Sequence, residues 1–520
     1  TVLSRYISST STSTTRCNCR DVRYITMPSV YCGLVQVTLT SVVLGFLVDT
    51  TSAYPLPLEG AGNVVNVRDF GAKGDGVHDD TAALLTAIAH VRSMVKDPSS
   101  PYPAPHYDIR VLYFPNGDYL VSDTLQFYIN VTEYSNGTVV PPYFYRISLM
   151  LIVMGESTQS TIIQLVDHAP GFQSITNAKP VLLTFPGTHQ NDGQWMCYQD
   201  LSINTGADNA GAVGLDHIAN NVNGVSNLAI MSGDGNGFLG VNFTRELGGQ
   251  IYFSNIFIKG FRTGIALGSG LMTAALENIT IHNATVGINI TDKMAQIRGL
   301  STSTTVSQPV VMSGAASVIV IDSVLEGDGT APAIDNTACA QLYARNVHTP
   351  SSLGQVAIMD CGSKIEGPLV KEHSHFSPLS NFDGSPTTST FLTTPIRNVP
   401  STADIANTDW TMFNLDSVSF KNATAIIQAL IDSGVENLYL GGAYPGPTHD
   451  VGVDQLILRG NLKRFHGGWH TIGSARFKNT PAGAMCLRVD TMNHTEPVII
   501  QALSICGVHQ NASNEVIIRH

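Results

Sequence analysis

A short phrase with alternating apolar residues returns along this chain. It stands at Gln199-Asp-Leu-Ser-Ile203, Ser226-Asn-Leu-Ala-Ile230, Ser254-Asn-Ile-Phe-Ile258, Glu277-Asn-Ile-Thr-Ile281, Arg298-Gly-Leu-Ser301, Asp322-Ser-Val-Leu325 and Arg345-Asn-Val-His348. Period-two alternation is a strand signal, and its return at about one solenoid rung means that each strand buries its apolar side only against its neighbouring copies. Stability then accrues by stacking, and no single rung is a domain. Several phrases are followed, after a Gly- or Pro-containing turn, by a second apolar segment: Gly240-Val-Asn-Phe243, Gly264-Ile-Ala-Leu267, Gly287-Ile-Asn-Ile290 and Pro309-Val-Val311. Each rung is therefore expected to hold two or more strands. The recurrent Asn227, Asn255, Asn278 and Asn346 are read as a hydrogen-bonded ladder at the turns, because stacked amides satisfy one another inside a solenoid.

Upstream, Val65 to Ile88 chains a short strand, a turn containing Gly71, Gly74 and Gly76, and a helix whose apolar face is Ala83, Leu84, Ala87, Ile88 and Val91. Asp79 or Asp80 is placed to accept the free N–H groups at the helix start. Strands follow at Val111-Leu-Tyr-Phe-Pro115 and Asp118-Tyr-Leu-Val121. This passage resembles the N-terminal signature of the pectate-lyase-like superfamily, in which a helix plugs one end of a right-handed parallel β-helix. The resemblance implies an all-β, carbohydrate-facing solenoid running from Val64 to about Val370, with a helix at Thr81 to Val95 over its N-terminal end.

A second copy of the cap is legible further on. Thr424-Ala-Ile-Ile-Gln-Ala-Leu-Ile431 echoes Thr81-Ala-Ala-Leu-Leu-Thr-Ala-Ile88, and both precede an aromatic strand, Asn437-Leu-Tyr-Leu440 and Val111-Leu-Tyr-Phe114. The expected organisation is a leader at 1–53, a first β-helix with its cap at 54–371, a linker at 372–409 and the cap and first rungs of a second β-helix at 410–520. The glycine-aspartate turn of the first cap has no counterpart in Asp416-Ser-Val-Ser-Phe-Lys-Asn422. Few strand-like segments follow the second cap, so the chain reads as a fragment at both ends.

A net charge of −12 with 13% charged residues argues against nucleic acid or an anionic membrane as partner, since either favours a basic patch. The leader carries an apolar stretch from Leu34 to Val48 after Met27, read as a secretory signal cut near Ala53. A membrane anchor is the alternative, although the run is shorter than the usual ~20 residues of a span. The sequons at Asn130, Asn136, Asn242, Asn278, Asn283, Asn289, Asn422, Asn493 and Asn511 fit secretion. Asn278 is expected to stay unmodified if it belongs to the ladder. Cys339 with Cys361, and Cys486 with Cys506, are each about one rung apart and placed to pair, leaving Cys197 free; buried free thiols are the alternative. The cysteines lack metal-ligand spacing. No metal or cofactor is expected, and the protein is read as a secreted monomer acting on a polysaccharide.

Glycoside hydrolysis needs a proton donor and a second carboxylate on one exposed face. Asp216 in Gly214-Leu-Asp-His-Ile218, Asp234 in Ser232-Gly-Asp-Gly-Asn-Gly237 and Glu246 in Thr244-Arg-Glu-Leu-Gly248 are the candidates. Each has a structural alternative: Asp234 as a turn former, Glu246 as a partner of Arg245 or Arg262, Asp216 as a turn cap. Trp195, Trp410 and Trp469 are candidates for stacking on sugar rings. Polygalacturonases carry an ordered series of Asn-Thr-Asp, paired Asp, Gly-His-Gly and Arg-Ile-Lys. Here Asn407-Thr408-Asp409 falls in the linker and Asp79-Asp80 in the cap. The acidic cluster of calcium-dependent pectate lyases is also missing. The doubled cap looks instead like the tandem β-helix exo-β-1,3-glucanases, which implies a glycoside hydrolase acting on a β-1,3-glucan or a related polysaccharide, with the catalytic acid beyond His520 and this form weakly active or inactive. A non-catalytic glycan-binding or cell-surface β-helix and a polysaccharide lyase are the alternatives.

Overall fold

The computed structural model of this chain describes residues 64–94, 110–127, 151–185, 196–218, 224–245, 251–268, 273–349, 356–375, 411–414, 423–441, 450–452, 456–466, 471–473, 487–489, 498–501 and 504–506. Up to Ser374 the strands join one 22-stranded sheet, wound as a parallel β-solenoid of about eight turns.

Each turn lays down three strand segments, and each segment stacks in register on its counterpart in the next rung. On the first face Val153, Tyr198, Val225, Phe253, Leu276, Ile297, Val320 and Ala344 form one inward column. On the second, Leu201, Leu228, Ile256, Ile279 and Leu300 stack likewise. The third carries Leu182, Leu215, Val241, Ile265, Ile288, Val310, Ile334 and Ile358. All are buried in a continuous core. At about 1.5–3 kcal/mol for each large aliphatic side chain taken out of water, these columns supply the main stabilisation of the stack.

The corner between the first and second faces is where the repeated phrase sits. Asp200, Asn227, Asn255, Asn278, Asp322 and Asn346 all take left-handed φ values between 50° and 60° there, and Gly299 takes the same place with φ 69°. Asn and Asp tolerate this conformation because their short polar groups bond locally. The expected ladder is present. Asn278 Nδ2 donates to Asn255 Oδ1 at 2.6 Å, Asn255 Nδ2 to Asn227 Oδ1 at 2.8 Å, and Asn227 Nδ2 to Asp200 Oδ1 at 2.8 Å. Gly299 interrupts it, and Asn346 donating to Asp322 at 2.8 Å resumes it.

The glycines of the second phrase are not in turns, as the spacing had indicated, but in the middle of the third face. A Cβ on Gly240 would lie 2.5 Å from the Gly264 carbonyl oxygen, and one on Gly264 2.6 Å from that of Gly287. At these positions the next backbone approaches so closely that only a residue without a Cβ fits; one rung beyond Gly287 the place is taken by Pro309.

The helix Thr81–Met94 buries Leu84, Ala87, Ile88 and Val91 in the same core as the first strands. Asp79 Oδ1 accepts the Thr81 N–H at 2.9 Å. Buried Asp80 faces the other way, accepting the Lys73 and Gly74 N–H groups at 2.6 and 2.9 Å, so it folds the glycine turn beneath the helix. At the other end Leu369–Ser374 runs antiparallel to Gln341–His348. This strand covers the edge of the last rung and extends past Lys371, where the linker was expected to begin. Asp360 fastens it: His373 Nε2 and His375 Nδ1 lie 2.7 and 2.9 Å from its two oxygens, and Asn336 Nδ2 donates to it at 2.7 Å. Cys339 and Cys361 form the expected disulfide beside it. Cys197 is a buried free thiol whose pKa burial pushes up to about 12.

Among the described residues from Thr411 onward the strands pair with one another, again in parallel. They form the series 411–414, 437–441, 464–466 and 499–501, the series 450–452, 471–473 and 504–506, and the pair 456–458 with 487–489. The helix Ala423–Asp432 buries Ile427 and Ile431, and Gln428 bonds both the N–H and the carbonyl of Ile457 at 2.8 and 3.0 Å. Cys486 lies outside the described residues.

Candidate functional site

The corner between the second and third faces is built differently in each rung. Its turns contain Thr205-Gly-Ala-Asp-Asn209 in one rung and Ser232-Gly-Asp-Gly-Asn236 in the next, with Gly206, Asp208 and Gly235 in left-handed conformations. Buried Asn209 pins the first of these turns to the rung before it, donating to Val166 O at 2.9 Å and Thr205 O at 2.8 Å while accepting the Ala169 N–H at 2.8 Å. A groove of ≈ 870 Å³ runs over these turns, lined among others by His168, Asp208, Asp234, Arg262 and Asn283.

Asp208 and Asp234 stand at the same corner of consecutive rungs. The strand register pairs Val213 with Leu239, and the Asp208 N–H donates to Asp234 Oδ2 at 2.9 Å. Asp234 Oδ1 accepts from the Asn236 N–H at 2.9 Å and from the Ser232 hydroxyl at 3.0 Å. Partial burial works against its charge, but these donors outweigh it and hold the carboxyl below its ordinary range. The Asn236 side chain bonds it as well, so Asp234 is an ionised turn former whose acceptor positions are taken up by its own turn and by the rung before it. The Asp208 side chain is exposed.

Asp216 lies elsewhere. It sits at the far end of the third face, opposite Asn242, and forms an ion pair with Arg245. Burial pushes its carboxyl up, and the Arg245 guanidinium only partly offsets this. Beside it Thr184 bonds both Tyr198 and His217 at 2.8 Å, and burial pushes His217 down to about 3, so the imidazole is neutral. From Gly237, where the Asp234 turn ends, to Asn242 is about 17 Å of strand at ~3.3 Å per residue. The structure therefore does not bring Asp216 and Asp234 together, since catalytic carboxylates stand only about 5–9.5 Å apart. Glu246, Trp195, Trp410 and Trp469 lie outside the described residues. Asp208 was missed in the sequence; the signal was its position 26 residues before Asp234, one rung earlier. Among the described residues no group of His, Cys, Asp and Glu is placed to hold a metal ion, and no helix is long and apolar enough to cross a membrane.

Residues 64–306 match the family model described as rhamnogalacturonase A/epimerase, pectate lyase-like. A stretch of 67 residues is 52% identical to a Penicillium expansum protein named non-secreted LysM effector LysM19, covering 12% of this chain and 5% of that protein. A stretch of 74 residues is 47% identical to a probable glucan endo-1,3-β-glucosidase of Arthroderma benhamiae, covering 13% and 8%. One of 79 residues is 38% identical to a glucan 1,3-β-glucosidase of Cochliobolus carbonum, covering 15% and 9%. The matched segments thus span between 5% and 9% of these relatives' own lengths.

Proposed function

We propose that this chain, whose residues 64–306 are a pectate-lyase-like domain, is a secreted carbohydrate-active protein that takes a neutral β-1,3-glucan or related polysaccharide into the groove over Asp208 and Asp234 and hydrolyses it. The observation that carries the reading is that these two carboxylates stand on consecutive rungs and line one groove, with the Asp208 backbone N–H bonded to Asp234. Strands in a sheet are about 4.8 Å apart, close to the ~5–5.5 Å that separates the carboxyl groups of retaining glycosidases. Asp234, held ionised, suits the nucleophile or charge-stabilising role, which leaves Asp208 as the candidate proton donor. The names of two relatives, a glucan 1,3-β-glucosidase and a probable glucan endo-1,3-β-glucosidase, support the substrate class. The segment from Thr411 fits the start of a second solenoid, and the protein acts as a monomer.

The test is sugar release by the full chain from laminarin and from polygalacturonate. Laminarin turnover is expected, falling by about 10²–10⁴ in Asp208→Asn, the contribution usual for a general acid, with laminarin still bound. Turnover that survives both Asp208→Asn and Asp234→Asn overturns the site, and strong cleavage of polygalacturonate overturns the substrate. A second reading, glycan binding without hydrolysis, is favoured by one observation: the Asp234 carboxylate is already committed to the Asp208 N–H of the rung before and to Ser232 and Asn236 of its own turn. Wild-type protein that binds laminarin and releases no sugar decides for it.

A further inference from the structure

The amide ladder has an open end. Asn227 and Asn255 are each 7% exposed, whereas Asn278, at the same corner one rung on, is exposed. Gly299 is the cause. Glu277 pairs with Arg298 and Ile279 with Leu300, so Gly299 stands directly beyond Asn278 in the stack. A Cβ on Gly299 would lie 3.5 and 3.6 Å from the Asn278 backbone N and Cα, so a side chain there would sit over Asn278, and glycine supplies none. The ladder resumes at Asp322, two rungs or about 9.6 Å away. Its carboxylate is engaged by Asn346 at 2.8 Å and by Arg298 at 3.7 Å, and Arg298 also pairs with Glu277 at 3.1 Å.

Asn278 Nδ2 carries two protons. One is donated to Asn255 Oδ1 at 2.6 Å, and the side chain makes no other hydrogen bond among the described residues. Contrary to the expectation from the sequence, membership of the ladder thus leaves an N–H of this amide free. Asn278-Ile-Thr280 is also a glycosylation sequon. The other three described sequon asparagines are placed differently. Asn242 is half-buried, accepts the Thr244 hydroxyl at 2.8 Å and bonds the Asp216 carboxylate. Asn289 is half-buried between Ala266 and Val311. Asn283 is exposed, but its Nδ2 is laid on the rung before it, 2.8 Å from where a Cβ on Gly235 would lie.

We propose that Asn278 is a modification site, the ladder residue that carries an N-linked oligosaccharide when the chain enters a secretory pathway. The inference rests on the reading of the protein as secreted. In the transfer Nδ2 forms a bond to C1 of the first sugar while the bond from C1 to a lipid-linked diphosphate donor breaks, and the proton that Nδ2 loses leaves with the diphosphate. The product keeps one N–H, so the bond to Asn255 still forms when the rungs stack. Beside the attachment point lies a hollow of ≈ 110 Å³ bordered by Phe257 and Thr280, open to the first sugar. Gly299 leaves the way outward clear. The corner is the one between the first and second faces, so a glycan on it leaves the groove over Asp208 and Asp234 open.

The experiment expresses the full chain in a yeast host in two forms, with its own leader and behind the host's secretion signal. Peptides are mapped by mass spectrometry after enzymatic release of N-glycans in heavy-oxygen water, which converts each modified Asn into labelled Asp. Label at residue 278 is expected in most of the secreted protein. Thr280→Ala removes the sequon and keeps the amide, so the label at 278 is lost while the thermal midpoint of the intact protein stays at the wild-type value. Thr280→Ser keeps the sequon and the label. Asn278→Gln loses the label and also draws the amide away from Asn255, so its midpoint falls below that of Thr280→Ala. A midpoint that rises in Thr280→Ala would mean that the glycan breaks the ladder, and it overturns the coexistence of the two. Secreted protein with residue 278 unlabelled overturns the site and leaves secretion standing. Label at 278 behind the host's signal, with the own-leader form kept unlabelled inside the cell, supports the site and overturns the secreted reading.

Discussion

Replacing Asn255 by Ala tests whether the amide ladder holds the rungs together or merely decorates their corners. Asn255 is 7% exposed, donates to Asn227 and accepts from Asn278, and has φ 53°. Two hydrogen bonds at a net ~1 kcal/mol each disappear, one of them leaving the Asn227 oxygen buried without its donor. An L-residue with a Cβ but no polar group pays a further ~1–2 kcal/mol for the left-handed backbone. The sum is about 3–4 kcal/mol. Asn255→Gly loses the same bonds but not the backbone term, so even after glycine's extra unfolded-state entropy it should cost about 1 kcal/mol less than Ala. Gly299 at the equivalent corner shows that the fold accepts a glycine there. The assay is urea unfolding of all three proteins, with hydrogen exchange at the strand amides of residues 251–258 to locate the loss, because a solenoid need not unfold in one step. Stability in the order wild type, Gly, Ala is expected. Ala equal to or better than Gly, or both within about 0.5 kcal/mol of wild type, refutes the reasoning, since that is the range of ordinary surface substitutions.

Gly264→Ala places a methyl group 2.6 Å from the Gly287 carbonyl and should cost about 1–3 kcal/mol or more by overpacking; a thermal midpoint equal to wild type argues against the close backbone column. Reduction of Cys339–Cys361, which lie 22 residues apart in sequence, should cost about 3 kcal/mol on the chain-entropy scale, seen as a lower midpoint with reductant and none in Cys339→Ser/Cys361→Ser. Burial opposes the Asp360 charge, but its bonds to His373, His375 and Asn336 outweigh this and leave the carboxyl below its ordinary value of 3.8. A carboxyl depressed in the folded state stabilises above the unfolded value, and that stability is lost as pH falls through the folded one. Below about pH 3.8 wild type should therefore lose stability that Asp360→Asn, already destabilised at pH 7, no longer has to lose; parallel midpoint-versus-pH curves for the two proteins contradict this.

The strands and both helices were legible because their signals are local and repeated. Leu228, Ile256, Ile279 and Leu300 recur at one place in the phrase, and the register puts them at one place in the stack. The ladder was legible for the same reason, since the left-handed corner selects Asn or Asp each time. Gly240, Gly264 and Gly287 were misread because a glycine following a phrase is the ordinary mark of a turn; the crowding that requires them is between rungs and leaves no trace within one. The groove was hidden for a different reason. Asp208 and Asp234 sit in turns of unlike sequence, so no shared phrase ties them, and Asp216, close to both in sequence, is carried by its strand to the opposite end of the third face.

The two corners divide the demands on the rung between them. At the first, consecutive ladder bonds such as Asn227–Asp200, Asn255–Asn227 and Asn278–Asn255 join residues 27, 28 and 23 apart, so the rungs differ in length while the corner keeps one conformation and one kind of side chain. The difference must be absorbed in the turns elsewhere. A corner that is bonded rung to rung cannot also offer its amides to a ligand, because the groups a sugar would need are already committed to the neighbouring rungs. The corner between the second and third faces is freed from that duty by the glycine-rich turns and by side chains such as Asn209 that close their bonds inward. Its exposed groups, Asp208, Arg262 and Asn283, project from a backbone fixed by the parallel register on both sides. That combination of rigid spacing and uncommitted polar groups is what a site for a repeating polymer requires, and among the described corners it is the one over which the large groove lies.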